Sequence, residues 1–261
     1  MALEFIKLVK GSSAVAQVGS LGFFKLGVES GGGGGGDFDR VFGNNSWNTI
    51  AQVSAEISAN NMTSAQVAET YGWNLGDTKS ETLTTGEVIQ LRIIGYNHDD
   101  KSDGSGKAGM TLQMAGMLET KYAMNTKADA RGGWEQCSFR KTTLPTIKAT
   151  FPQSLLGVIK TVDKYSASSS LGNKTKTTDD MFILAQIELT GTEPENNADE
   201  GTQYSYWQLN NTDTARLPFA NSWLRSTYKE DYQKYKYITY NGGMTGGKAT
   251  TALGISLALC I

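Results

Sequence analysis

The clearest periodicity in the chain is helical. Trp47, Ile50, Val53 or Ser54, and Ile57 recur on one face, with Asn45 or Ser46 placed to cap the first turn. A second helix starts at Thr63, where Gln66 completes a capping-box pattern, Val67 and Tyr71 share a face, and Gly72 ends the element. The period then switches to two. In the segment 87–94, Ile89, Leu91 and Ile93 alternate with Gln90 and Arg92, which predicts a strand with one buried face. Met110 to Met114 is expected to be the next strand, after a polar turn from Asp99 to Gly106.

Further on the pattern weakens. Trp134 to Thr143 reads as a short helix that stops before Pro145, because a proline disfavours helical geometry in the residue ahead of it. Pro152 suits the first turn of another short helix through Leu156. Val158–Val162 and Met181–Leu189 read as strands or buried segments. A Ser/Thr/Lys-rich loop from Ser166 to Asp180 separates them, and a second, acidic loop runs from Thr192 to Gly201. The last sixty residues predict short strands at Trp223–Arg225, Tyr235–Tyr240 and Ile255–Ile261, joined by glycine-containing loops. The fold class expected is α+β, with short strands, short helices and long loops.

The glycine run Gly31–Gly36 marks the one obvious boundary, since side-chain-free backbone is costly to order. It divides the chain into an arm at 1–30, a linker at 31–44 and a main domain at 45–261. The arm is expected to be β-rich: Leu3, Phe5, Ile6, Leu8 and Val9 form a strand pattern, and Val15 to Val28 can pair back. Thirty residues bury little by themselves, so attachment to another chain or oligomerisation is expected, through Leu3, Phe5, Leu8, Phe23 and Phe24. The alternative is a strand that closes the main domain's own sheet.

Composition narrows the function classes. The 261 residues are 39% hydrophobic and 19% charged, enough for a core, and the net charge of −2 argues against a dedicated nucleic-acid binder. No apolar run is long enough to span a bilayer, and the start lacks a leader pattern, so the chain reads as soluble, unprocessed and without membrane insertion. A single histidine, His98, and two cysteines, Cys137 and Cys260, leave no zinc ribbon and no disulfide framework. No metal and no cofactor is expected. Asp99, Asp103 and Gly104 echo a calcium loop, but Lys101 stands where a ligand should and Met110 where the bidentate glutamate belongs, so a solvated turn is the reading there. His98 reads as a structural, hydrogen-bonded histidine. Phosphate-loop, dinucleotide and nucleophile-elbow motifs are absent. What remains is an aromatic concentration: Trp223, Tyr228, Tyr232, Tyr235, Tyr237 and Tyr240, with Arg225 and several lysines among them. Such residues give large contact area at low entropic cost, so they are the candidate ligand-binding set, with part of them expected in the core.

Several runs resemble an uncharacterised domain family common in phages and prophages of Firmicutes. They are Ser46–Ala51 with Tyr71–Lys79, Ile93–Asp99, Gly132–Trp134 with Arg140 and Leu144–Ile147, Leu155 with Val158–Val162, Met181–Leu184, Tyr204–Trp207 and Ser222–Ser226. The closing strand is similar as well, although Ser256-Leu257 stands where the family usually has Arg-Pro. The Trp223-Leu224-Arg225-Ser226 run followed by a loop and a closing strand also resembles C-type-lectin-like domains, a group that includes formylglycine-generating-enzyme-like domains and phage tropism determinants. The resemblance implies a virion protein of head or tail, of the fibre or decoration type. It would be homo-oligomeric, held to other virion proteins by its arm, and would bind a host-surface glycan or protein without catalysis. A purely structural decoration protein is the alternative, and a glycan-active enzyme a more distant one.

Overall fold

The computed structural model describes residues 14–18, 24–28, 38–167, 174–193, 199–229 and 231–261. By its contacts the chain divides into two units, Met1–Asp37 and Phe38–Ile261. In the first, β1 (Ala14–Val18) and β2 (Phe24–Val28) pair antiparallel, with Ala14 opposite Val28 and Val18 opposite Phe24. Of the residues expected to attach the arm, Leu3, Phe5, Leu8 and Phe23 lie outside the described residues, and Phe24 is described by its backbone alone.

The second unit is α+β. It opens with α1 (Trp47–Ala59), whose cap is Ser46: its hydroxyl accepts the Thr49 N–H at 3.1 Å. Asn45 does different work, its amide donating to the carbonyls of Asp39, Val41 and Phe42. α2 (Ser64–Tyr71) starts on the Thr63–Gln66 capping box and ends on Gly72 in the left-handed conformation. Strands β3 (Thr78–Thr82), β4 (Val88–Tyr96), β5 (Met110–Met114), β8 (Met181–Ile183) and β12 (Leu257–Cys260) form an antiparallel sheet in the order β3-β4-β5-β12-β8. The first half of β4 alternates as its sequence predicts, but a bulge between Ile93 and Gly95 ends the alternation, and Ile93 to Tyr96 are all buried. α1 packs on β5 so closely that a Cβ at Gly109 would lie on the Ser54 carbonyl oxygen. α7 (Ser205–Leu209) packs on β4, and Trp207 donates its indole N–H to the side-chain amide oxygen of Gln113 at 2.9 Å.

Three local expectations are corrected. The helix expected over 134–143 is α3 (Gly133–Gln136) followed by a π-type turn, Phe139–Thr143, that runs straight into α4 (Leu144–Lys148). Pro145 therefore sits in the first turn of α4 rather than beyond the end of a helix. The loop expected over 166–180 contains most of a hairpin, β6 (Val162–Ala167) with β7 (Lys174–Asp179). The last region contains a strand, β11 (Met244–Lys248), in a glycine-rich stretch expected to be a loop. β11 pairs with β10 (Lys234–Ile238), and β10 with β9 (Trp223–Thr227), giving a small antiparallel sheet. β9 is covered on both faces, and the β6–β7 hairpin packs against it and against α3. Between these lie α5 (Gln153–Leu156), α6 (Gln186–Thr190) and α8 (Asp213–Arg216). Among the described residues no helix is long and apolar enough to cross a membrane.

Candidate functional site

Two features stand out, the β9–β10–β11 sheet and a buried set of charges beneath one end of it. The charges come from three elements, β9, α6 and β6, and from the loops that carry Asp99 and Glu200. β9 supplies Arg225, which donates to both carboxylate oxygens of Glu188 on α6, one at 2.7 Å. The same guanidinium reaches the carbonyls of Ile183 at 3.1 Å and Glu200 at 2.9 Å, and the Ser166 hydroxyl at 3.1 Å. β6 supplies Lys164, whose ammonium lies 2.6 Å from both Asp99 and Glu188 and 3.1 Å from the Tyr204 hydroxyl. Asp99 also accepts from Thr111 at 2.6 Å and from Tyr204 at 3.0 Å.

Each of these side chains is nearly removed from water, so pairing decides its charge state. Burial alone would raise the Asp99 and Glu188 carboxyls. For Asp99 the Lys164 ammonium, and for Glu188 the Arg225 and Lys164 cations, outweigh it and hold both below the usual carboxylate range. Burial would likewise lower Lys164, but Asp99 and Glu188 keep it raised. Two cations thus balance two carboxylates. Glu200 is the odd acid: its oxygens accept from Ala167 N–H at 2.8 Å and from the Ser226 hydroxyl, yet burial outweighs these and Arg225, pushing it up to about 7. His98, stacked on Tyr204 with ring centres 4.0 Å apart, is pulled down by burial. Asp99 is therefore not part of a solvated turn, and only Asp103 of that pair is exposed. No group of described residues is arranged to hold a metal ion. Cys137 and Cys260 are both buried and free.

The structure sorts the sequence-based binding set into two kinds. Trp223, Arg225 and Tyr235 are 1%, 0% and 0% exposed and cannot meet a ligand directly. Trp223 donates its indole N–H to the Tyr122 carbonyl at 2.9 Å, and Tyr235 its hydroxyl to the Gly133 carbonyl at 2.9 Å. These three fasten the sheet to the body. Tyr237 is half-buried, edge-on to Trp223. Tyr228, Tyr232 and Tyr240 reach the surface. Tyr228 lies across Gly246, with the Lys236 ammonium 4.6 Å from its ring centre, and Tyr232 lies under the Arg131 guanidinium at 5.2 Å. Tyr240 is 78% exposed in the β10–β11 turn, at the opposite end of β10 from Tyr232. Closeness in sequence has not become one cluster in space, because alternation along β10 and the turns at its ends send these rings in different directions.

Sequence reasoning missed Lys164, Glu188, Glu200 and Tyr204. The one signal available was a glutamate inside the mostly apolar run Met181–Leu189.

A family model for a domain of unknown function (DUF6273) matches residues 108–261, and the chain belongs to that family. The matched region begins just ahead of β5 and contains the whole charge network except Asp99. No curated protein and no solved structure matches the chain.

Proposed function

We propose that this chain is a bacteriophage virion protein, of the head or tail fibre or decoration type, that displays residues 45–261 as a recognition module for the host cell surface. The observation that carries the reading is the β9–β10–β11 sheet. Its inner residues Trp223, Arg225 and Tyr235 are locked into the body, and Tyr228, Tyr232 and Tyr240 stand at its outer face and ends. Rigid support for exposed tyrosines lowers the entropy lost on binding, a property of recognition surfaces. Long loops around a small sheet after Trp223-Leu224-Arg225-Ser226 support a lectin-like reading of the domain, and the family resemblance supports the phage setting. The binding is non-catalytic: the buried acids are held by Lys164, Arg225 and hydroxyls rather than converging on open solvent. Residues 1–30 serve as the attachment arm to other virion proteins and as the site of homo-oligomerisation. Many weak contacts on one particle then sum to firm adhesion.

The test is adhesion of the fluorescently labelled full chain to a panel of Firmicutes cells. Saturable adhesion to some of them, lowered at least fivefold by Tyr228→Ala with Tyr240→Ala, is the expected result. Adhesion to none, or adhesion untouched by that pair, overturns the reading.

A further inference from the structure

A cleft of about 550 Å³ in the Phe38–Ile261 unit is lined by none of the candidate binding residues and none of the buried charges. Its size falls within the range of about 300–1,000 Å³ common for small-molecule sites. Its base is apolar, built from Leu83, Leu118 and Ile147, and Tyr122 also lines it. Its rim is polar and of one kind: threonine hydroxyls and the carboxylates of Glu87 and Glu119. No lysine or arginine lines it.

The walls are fixed by backbone pairing. Leu118 donates its N–H to Ile255 O, and Tyr122 exchanges backbone bonds with Leu253, at 2.9 and 3.0 Å. Across the cleft, Thr84 N–H donates to Thr150 O at 2.8 Å, which ties the tip of the β3–β4 hairpin to the turn after α4. One Glu87 oxygen accepts the Glu119 N–H at 2.7 Å, so that carboxylate is held in place with its other oxygen still to be satisfied by water or ligand.

We propose that this cleft is a binding site for a neutral oligosaccharide. A sugar presents an apolar ring face and a rim of hydroxyls. Tyr122 and the leucine–isoleucine base match the first, and the carboxylates and threonines match the second as acceptors and exchangeable partners. The absence of any cation among the lining residues selects against sulfated, phosphorylated or uronic sugars, whose charge Glu87 and Glu119 would repel. The assignment rests on the cleft itself and stands whether or not the β9–β11 sheet binds cells.

The test is calorimetric titration of the full chain with tetrasaccharides of N-acetylglucosamine, of glucose and of mannose, with a sulfated disaccharide and tetralysine as comparison probes. At least one neutral tetrasaccharide is expected to bind saturably. Glu119→Ala, an exposed change, is expected to weaken it about tenfold, the scale of one lost hydrogen bond to a charged acceptor. Tyr122→Ala should weaken it further, and if that variant misfolds the glutamate variant carries the test. Binding of none of the neutral sugars, equal binding by Glu119→Ala, or preferential binding of tetralysine or the sulfated sugar would each reject the proposal.

Discussion

Arg225 grips both carboxylate oxygens of Glu188 at a point where the two side chains are 0% and 1% exposed. Neither residue can find water if the other is lost, and without Arg225 the single Lys164 ammonium would face two buried carboxylates, Asp99 and Glu188, so breaking the pair leaves a buried charge unbalanced. Arg225→Met is expected to destabilise the domain by about 3–5 kcal/mol, read as a shift in the urea midpoint. Glu188→Met with Arg225→Met should cost less than the two single changes added together, because the double variant leaves neither charge stranded. Additive losses would show that the pair is not energetically coupled.

Glu200 makes stability depend on pH in the direction opposite to ordinary salt-bridged acids. Its folded-state value, raised by burial from 4.5 to about 7, means that folding favours the protonated form. Its contribution is therefore fully present below about pH 4.5 and is lost as pH rises through about 7, an upper limit of about 3 kcal/mol. Asp99 and Glu188 act the other way, since pairing depresses both and their contribution is lost as acid protonates them. Glu200→Gln keeps the shape and removes the proton equilibrium. Relative to the parent protein, this variant should gain stability between pH 5 and pH 8 in urea titrations. A constant difference across that range would place the Glu200 proton elsewhere.

Much of the fold was legible where local rules act alone. α1 and α2 combine a periodic apolar face with a cap a few residues away, so Ser46, Thr63 and Gln66 are sufficient evidence. The β6–β7 hairpin was not legible because the face it packs is ionic. Lys164 meets Asp99, and Asp179 meets Arg140 and Trp134, so the hydrophobic alternation that marks a strand is missing. Arg225 sits among tyrosines in the sequence and reads as a surface residue. Its partners Glu188 and Glu200 are 37 and 25 residues away, beyond any motif. β11 was hidden for another reason: its glycines look like a loop until the rings that cover them are known.

The two thiols offer a direct check on the interior. Cys137 is 0% exposed, and burial pushes its thiol up to about 12, while burial and the nearby Asp99 carboxylate raise Cys260 well above the ordinary thiol value. The thiolate is the reactive form, so both should resist an aromatic disulfide reagent at pH 8 and react together once guanidinium unfolds the chain. Reaction of Cys260 within seconds in native buffer would mean that β12 opens from its place between β5 and β8.

Gly246 and Gly247 are neighbours on β11 that face opposite sides of the sheet, opposite Lys236 and Tyr235 respectively. A Cβ at Gly246 would come within 2.6 Å of the half-buried Tyr228 ring, and one at Gly247 within 2.9 Å of the buried Trp223 ring. Tyr228 is only half-buried, whereas Trp223 is buried and fixed by its bond to the Tyr122 carbonyl. Gly247→Ala is therefore expected to destabilise by about 1–3 kcal/mol, the usual cost of overpacking, and to lower the melting temperature. Gly246→Ala should lower the melting temperature less than Gly247→Ala does while displacing Tyr228, so it should weaken cell adhesion without loss of fold. Equal thermal losses in the two variants would mean that the outer face of the sheet is packed as tightly as the inner one, and Tyr228 would then be a structural residue rather than part of a recognition surface.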